Sequence, residues 1–437
     1  MNTRPPIQKT LSSGLTIILA PMEVQSVSVL AFVGTGSRFE TEETSGISHF
    51  LEHMVFKGTH KYPTPKVLAE TIDRIGAEFN AFTSKEYTGY YVKAASEHAN
   101  LALDVVSDML LTPTLKEDDL QREKGVIVEE IHMYEDTPAR HIGDVFERLF
   151  FSGSTLGRDI IGTENTVRSF SREHFQNHLS RWYGLSNVVV TVSGDSAVVN
   201  DALIAEIERA FSKQSETRTS QATEAIITSI TGDPISNGKK IEVAYKDTQQ
   251  AHFVMAVEGL KRRDSDQYAL SVLSTLFGGN MSSRLFTEVR EKRGLCYYVR
   301  SDEDTYHDAG IFGASAGVDP ARVDEAVKVV REELYKLTAD SGEGKITDKE
   351  VDDAKSHAVG SAILHIEDSL AVAQFYGGHK LLRNELITPQ EEIERIRAVT
   401  SDDVRRVAKR LLSNSELFFA IIGPYKEEDR FAKLIQL

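Results

Sequence analysis

Residues 26–36 read SVSVLAFVGTG and residues 49–58 read HFLEHMVFKG; the pair recurs, altered, as AHFVMAVEGL at 251–260 and LSVLSTLFGG at 270–279. The first member of each pair is a short apolar run of strand character, and the second a helical run ending in Phe-x-Gly. The same succession follows both. Two strand-like runs come next, AEFNAF and TGYYVKAA in the first copy, LCYYVRS and AGIFGASAG in the second. Two amphipathic helices then follow, ANLALDVVSDML and LKEDDLQREKGVIVEEIHMY against ARVDEAVKVVREELYKL and ITDKEVDDAKSHAVGSAILHI. A repeat this long means a duplicated domain, since solenoid repeats run only about 20–50 residues. Strands and helices mix without strict βαβ alternation, which places the fold in the α+β class. Between the copies, residues 213–237 are rich in Ser and Thr and end in a Gly-Asp-Pro turn signal. The sequence therefore divides into residues 1–212, a linker at 213–237, and residues 238–437.

Composition narrows the function classes. The 437 residues are 41% hydrophobic and 27% charged, which is globular and not disordered. A net charge of −16 argues against nucleic acid or an anionic membrane as partner, because both select basic patches. The single cysteine, Cys296, has no partner for an internal disulfide, which fits a reducing compartment. The polar start and the absence of a long apolar run lead us to expect a cytoplasmic protein without a membrane span.

The pentapeptide His49-Phe50-Leu51-Glu52-His53 carries the chemistry. Thr44 and Ser45 are N-cap candidates for a helix running from Ile47 to Phe56. On that helix His49 and His53 stand at i and i+4, so both imidazoles leave one face and can hold one ion. Glu52, on the flank of that face, can reach a water on the metal; this H-x-x-E-H order is the inverzincin arrangement. A catalytic zinc needs a third protein ligand and an open position. Glu123 and Glu130, seven apart on one helix face, offer it: one binds metal while the other accepts the N–H of a ligating imidazole. Glu129 lies about 100° off that face.

With these residues in view, the chain resembles the pitrilysin/insulinase family of metallopeptidases. The family pairs H-x-x-E-H with a downstream Glu; here 76 residues lie between His53 and Glu130. The resemblance extends to GSRFE at 36–40, LGRDIIGT at 156–163 and SNVVVTVSGD at 186–195. It is similar to the short, two-domain type, such as the β subunit of mitochondrial processing peptidase and its bacterial relatives. The resemblance implies two α+β rolls, each a largely antiparallel sheet with helices on one face. It also implies Zn²⁺, one per chain, on His49, His53 and Glu130, with Glu52 as catalytic base and Glu123 in support. In the second copy Leu270, Leu273 and Ser274 align with His49, Glu52 and His53, so that copy has lost the site.

Two further groups follow from the resemblance. Arg290 and Tyr297 match the family's Arg/Tyr pair, which approaches the zinc site from the opposite side; a guanidinium and a phenol would steady the negative charge of a tetrahedral intermediate. Asn80, Ala81, Phe82 and Thr83 match the substrate-binding edge strand, where a peptide would pair by its backbone. The implied activity is zinc-dependent cleavage of short or unfolded peptides in a clamshell chamber, against the alternative of a non-catalytic, substrate-presenting subunit. Long members carry four such domains in one chain and this one has two. A homodimer is therefore expected, with a heterodimer as the other way to complete the chamber.

Overall fold

The computed structural model describes residues 5–212, 218 and 238–436. They form two compact units, each built on one sheet. The first unit contains β1 (Ile7–Thr10), β2 (Thr16–Met22), β3 (Ser26–Val33), β4 (Glu78–Thr83), β5 (Thr88–Ala95) and β6 (Val188–Asp195), in the order β1-β2-β6-β3-β5-β4. Only β2 and β6 run parallel. The second contains β7 (Ile241–Tyr245), β8 (Ala251–Glu258), β9 (Cys296–Thr305), β10 (Gly310–Val318) and β11 (Phe418–Gly423), ordered β7-β11-β8-β10-β9 with only β7 and β11 parallel. Leaving out β1, the two orders agree strand for strand. The repeat seen in the sequence is thus a repeat of topology, and the α+β class holds.

The strands explain the layers. Val27, Val29, Ala31 and Val33 of β3 enter one core, while Leu30 and Phe32 enter another on the opposite face. A mostly antiparallel sheet apolar on both faces needs a layer on each side. On the first face lie helices α1 (Ile47–Val55), α2 (Pro65–Asp73), α3 (Ala99–Leu111) and α4 (Glu117–Glu135). The other face is covered by the helix Ser369–Arg383, which comes from the second half of the sequence. The second sheet has the reciprocal arrangement. Phe253, Met255 and Val257 face its main core, and Val254 and Ala256 pack on α5 (Pro138–Phe150), from the first half.

The division at 213–237 is therefore corrected in one respect: Met133–Gly157 packs within the second unit and Leu364–Pro389 within the first. The reason is the apolar second face of each sheet, which a helix from the other half covers. Of residues 213–237, all but Arg218 lie outside the described residues. Arg218 donates to Leu110 O and Leu111 O, at 2.9 and 2.7 Å, at the end of α3. No helix among the described residues is long and apolar enough to cross a membrane.

The helix Ser369–Arg383 sits close on its sheet. Asp368 caps it by accepting the Ala371 N–H at 3.0 Å, and Lys93 pairs with that carboxylate. Ser369 Oγ lies 3.0 Å from Ser26 Oγ and 2.9 Å from Ser28 Oγ. A Cβ on Gly377 would stand 2.5 Å from the Phe32 ring and 2.8 Å from Thr191 Oγ1, whereas one on Gly378 would meet nothing within 4 Å. Gly377→Val should therefore cost about 1–3 kcal/mol of stability, as overpacking does. Gly378→Ala should be neutral or stabilising by up to about 1 kcal/mol. Urea unfolding of the two variants tests this; equal effects would contradict the close approach at Gly377.

Candidate metal centre

The site starts with how α1 is held. Its N-cap position is Gly46, at φ 94°, and neither Thr44 nor Ser45 caps it. Glu40 does: its Oε2 accepts the Gly46 N–H at 2.7 Å and its Oε1 the Ser48 N–H at 2.9 Å. Burial pushes the Glu40 carboxyl up to about 7, against the pull of those N–H groups and the Arg158 charge. Arg158 also donates to the Glu40 carbonyl, and Arg38 pairs with Glu86 at 2.6 Å in the interior. A Cβ on Gly46 would lie 2.6 Å from Ile161 O, so only glycine lets these two backbones cross. The GSRFE and LGRDIIGT runs are thus a clamp on the start of α1.

Phe50, Leu51 and Met54 fix the rotation of α1 by entering the core fully. This turns His49, Glu52 and His53 to the other face, where carboxylates of α4 meet the two imidazoles. On α4, Leu120, Glu123, Ile127 and Ile131 make the buried stripe, so Glu123 is a carboxylate at a core position. His53 Nδ1 lies 2.9 Å from Glu123 Oε1, and Lys57 Nζ is 2.7 Å from Glu123 Oε2. The other ring nitrogen, His53 Nε2, is 3.4 Å from Glu130 Oε2, and His49 Nε2 is 3.8 Å from Glu130 Oε1. Glu129, the third carboxylate of the run, is 82% exposed and takes no part.

One ligand atom each from His49, His53 and Glu130 falls within 4.8 Å of the other two, the only such trio of metal-ligating side chains among the described residues. Ligands about 2.0–2.1 Å from a tetrahedral ion stand about 3.3 Å apart, so this spacing fits zinc. Burial, then the neighbouring His53 charge, pulls His49 down to about 4, leaving a neutral ring with a lone pair to give. Its Nδ1 is buried without a hydrogen-bond partner. For His53, burial pulls downward, but hydrogen bonds to Glu123 and Glu130 outweigh it and lift the ring to about 9. Glu130 lies with the two imidazoles as a candidate ligand, and Glu123 lies on the far nitrogen of His53. Glu52 is pushed up by burial while Thr83 Oγ1 donates to its Oε2 at 2.6 Å.

Asn80–Thr83 fall in β4, which is an edge strand of its sheet. Arg290 and Tyr297 belong to the second unit. There the Arg290 guanidinium lies 5.9 Å from the centre of the Tyr297 ring, and that tyrosine is 73% exposed. Leu270 and Leu273 are fully buried and Ser274 Oγ donates to Ser301 Oγ at 3.0 Å, so the positions aligned with His49, Glu52 and His53 do packing work only. Sequence reading missed three partners: Glu40, the role of Thr83 on Glu52, and Lys57. Only Lys57 left a local signal, its i+4 spacing from His53.

Residues 17–164 match the family described as insulinase, peptidase family M16, and residues 169–357 match the peptidase M16 inactive domain. The chain belongs to the insulinase (M16) peptidase family. It is 35% identical over 420 residues to an uncharacterized zinc protease of Streptomyces coelicolor, covering 96% of this chain and 90% of that one. It is 36% identical over 416 residues to another of Bacillus subtilis, covering 95% and 97%. A solved protease from Helicobacter pylori superposes with a TM-score of 0.84 at 24% identity, over 96% of this chain and 99% of that one. The M16 inactive domain structure from Pseudomonas fluorescens gives 0.82 at 18%, over 97% and 99%. At those identities the two structures establish the M16 fold.

The charge states carry a pH consequence. With His53 as a ligand, metal binding would require it to give up a proton that the metal-free protein holds below about pH 9. Between about pH 5 and 8 metal uptake should therefore release about one proton, and affinity should fall about tenfold per pH unit on acidification. Calorimetric titration in buffers of different protonation enthalpy measures that number; a value near zero would contradict the His53 assignment.

Proposed function

We propose that this M16 chain is a zinc endopeptidase that cleaves short or unfolded peptides. The observation that carries the reading is the convergence of His49 and His53, beside Glu52 on the clamped helix α1, with Glu130 of α4. Zinc bound there would supply a Lewis acid that polarises the scissile carbonyl and acidifies a water. The chain's own residues do the rest. Thr83 holds Glu52 Oε2, which leaves Oε1 to take the proton of the attacking water and pass it to the leaving amine. Burial makes this carboxylate a stronger base than one in water. Glu123, on His53 Nδ1, keeps the Nε2 lone pair aimed at the ion. The edge of β4, which carries both Thr83 and the proposed substrate strand Asn80–Thr83, supports backbone pairing with an extended peptide. Backbone pairing selects unfolded chains over any one side-chain sequence.

Glu52→Gln should keep zinc and the fold but lose at least about 100-fold in cleavage of a quenched peptide. His53→Ala should lose the metal itself, and Glu130→Gln should weaken it more than Glu123→Gln does. Metal analysis and peptide assays decide this. A wild-type protein that holds zinc and cuts nothing in a mixed peptide library would be a substrate-presenting subunit instead.

For assembly we propose a homodimer in which Arg290 and Tyr297 of one copy serve the zinc site of the other, as the family resemblance suggests. Glu52→Gln and Tyr297→Phe chains, each impaired alone, should then recover up to one working site per mixed dimer. Absence of recovery in demonstrated mixed dimers would rule the exchange out.

A further inference from the structure

The group that no part of the chemistry above uses, yet lies against it, is the ammonium of Lys57. This residue follows α1 in the turn that ends it, where its N–H reaches Met54 O at 3.1 Å. It stands four residues after His53, so both side chains leave the end of α1 on one side. That side meets Glu123. Lys57 Nζ is 2.7 Å from Glu123 Oε2 and His53 Nδ1 is 2.9 Å from Glu123 Oε1, so each carboxylate oxygen has a donor of its own.

We propose that Lys57 is a positioning residue for the zinc site, acting on His53 through Glu123, and that it sets how tightly the metal is held. The inference rests on the reading of His49, His53 and Glu130 as zinc ligands. The Glu123 side chain is only 6% exposed, so water does little to orient it. The terminal torsion of a glutamate is broad, and with one donor the carboxylate could swing about it. Two donors on different side chains pin its plane. A pinned Oε1 holds the proton on His53 Nδ1 and keeps Nε2 turned to Glu130, 3.4 Å away. Charge points the same way. Glu52, Glu123 and Glu130 bring three negative charges, which a divalent cation balances only in part. Lys57 places the remaining positive charge on the one carboxylate that would not face the ion. Removing it strands a buried oxygen without its donor, a costly state.

A lysine at the end of a helix also stabilises that helix through its dipole, and the test must separate the two roles. Zinc affinity of the full chain is measured by competition with a chromophoric chelator for wild type, Lys57→Met, Lys57→Arg, Glu123→Gln and the Lys57→Met/Glu123→Gln double variant. Thermal melts of the metal-free proteins run alongside, and Lys57→Gln stands in if Lys57→Met does not fold. Lys57→Met should weaken zinc about 10–100-fold, the range for groups that support a ligand. Lys57→Arg should recover most of that loss. In the Glu123→Gln background Lys57→Met should add little, because the two act in series. In zinc-loaded protein with ¹⁵N-labelled histidine, the Nδ1 proton of His53 should exchange faster once Lys57 is replaced. Unchanged zinc affinity in Lys57→Met overturns the proposal, as does full additivity with Glu123→Gln. A loss that tracks metal-free stability and is not restored by Arg also overturns it, leaving an ordinary helix-end lysine. A wild-type chain that takes up no zinc sinks the zinc reading itself, and the role of Lys57 with it.

Discussion

A sheet whose strands are apolar on both faces cannot leave either face in water, and this constraint organises the molecule. Along β3, every residue from Val27 to Val33 is buried, with Val29 and Ala31 serving one core and Leu30 and Phe32 the other. Burial of a side chain such as Phe32 is worth about 1.5–3 kcal/mol, so an uncovered second face would cost several such contributions. Each sheet meets the demand with a helix from the other half of the sequence, Ser369–Arg383 on the first and α5 on the second. Each compact unit is therefore closed by a piece of the other half, and the small residues Ser369 and Gly377 mark how near such a helix comes.

The candidate site inherits its precision from that packing. Two imidazoles on a nine-residue helix share an ion only if the helix neither rotates nor frays. Phe50, Leu51 and Met54 prevent the rotation, and the Glu40 carboxylate on the Gly46 and Ser48 N–H groups prevents the fraying. The α4 helix then brings one carboxylate to each side of His53. The result is a row of groups, Lys57, Glu123, His53 and Glu130, with a buried carboxylate at its centre.

The second unit shows the same topology without the chemistry. The helix aligned with α1 carries Leu270 and Leu273 in its core, where side chains of the first copy reach solvent and α4. Apolar residues at those positions remove the need for α4-like carboxylates, since nothing there needs a charge partner. A duplicated frame can thus be specialised by a few side chains, and the description of residues 169–357 as an inactive M16 domain agrees with that loss.

Much of this was legible in the sequence, because it is local. The short apolar runs defined the strands, and the spacing of His49, Glu52 and His53 defined one helix face, since helical geometry fixes which neighbours share a side. Glu123 and Glu130 were legible as a pair for the same reason. Which of them would face an ion was not legible from their spacing and came only from the family resemblance, because it depends on how α4 is set against α1, and rotation between helices is decided by packing far from either residue. The capping of α1 by Glu40 and the hold of Thr83 on Glu52 were equally hidden: each joins segments distant in the chain or on different elements, and no periodicity links them. The exchange of helices between halves was the largest thing only the tertiary structure decided. An amphipathic helix declares that it has an apolar face, but which sheet that face will cover is settled by the competition of whole surfaces for burial.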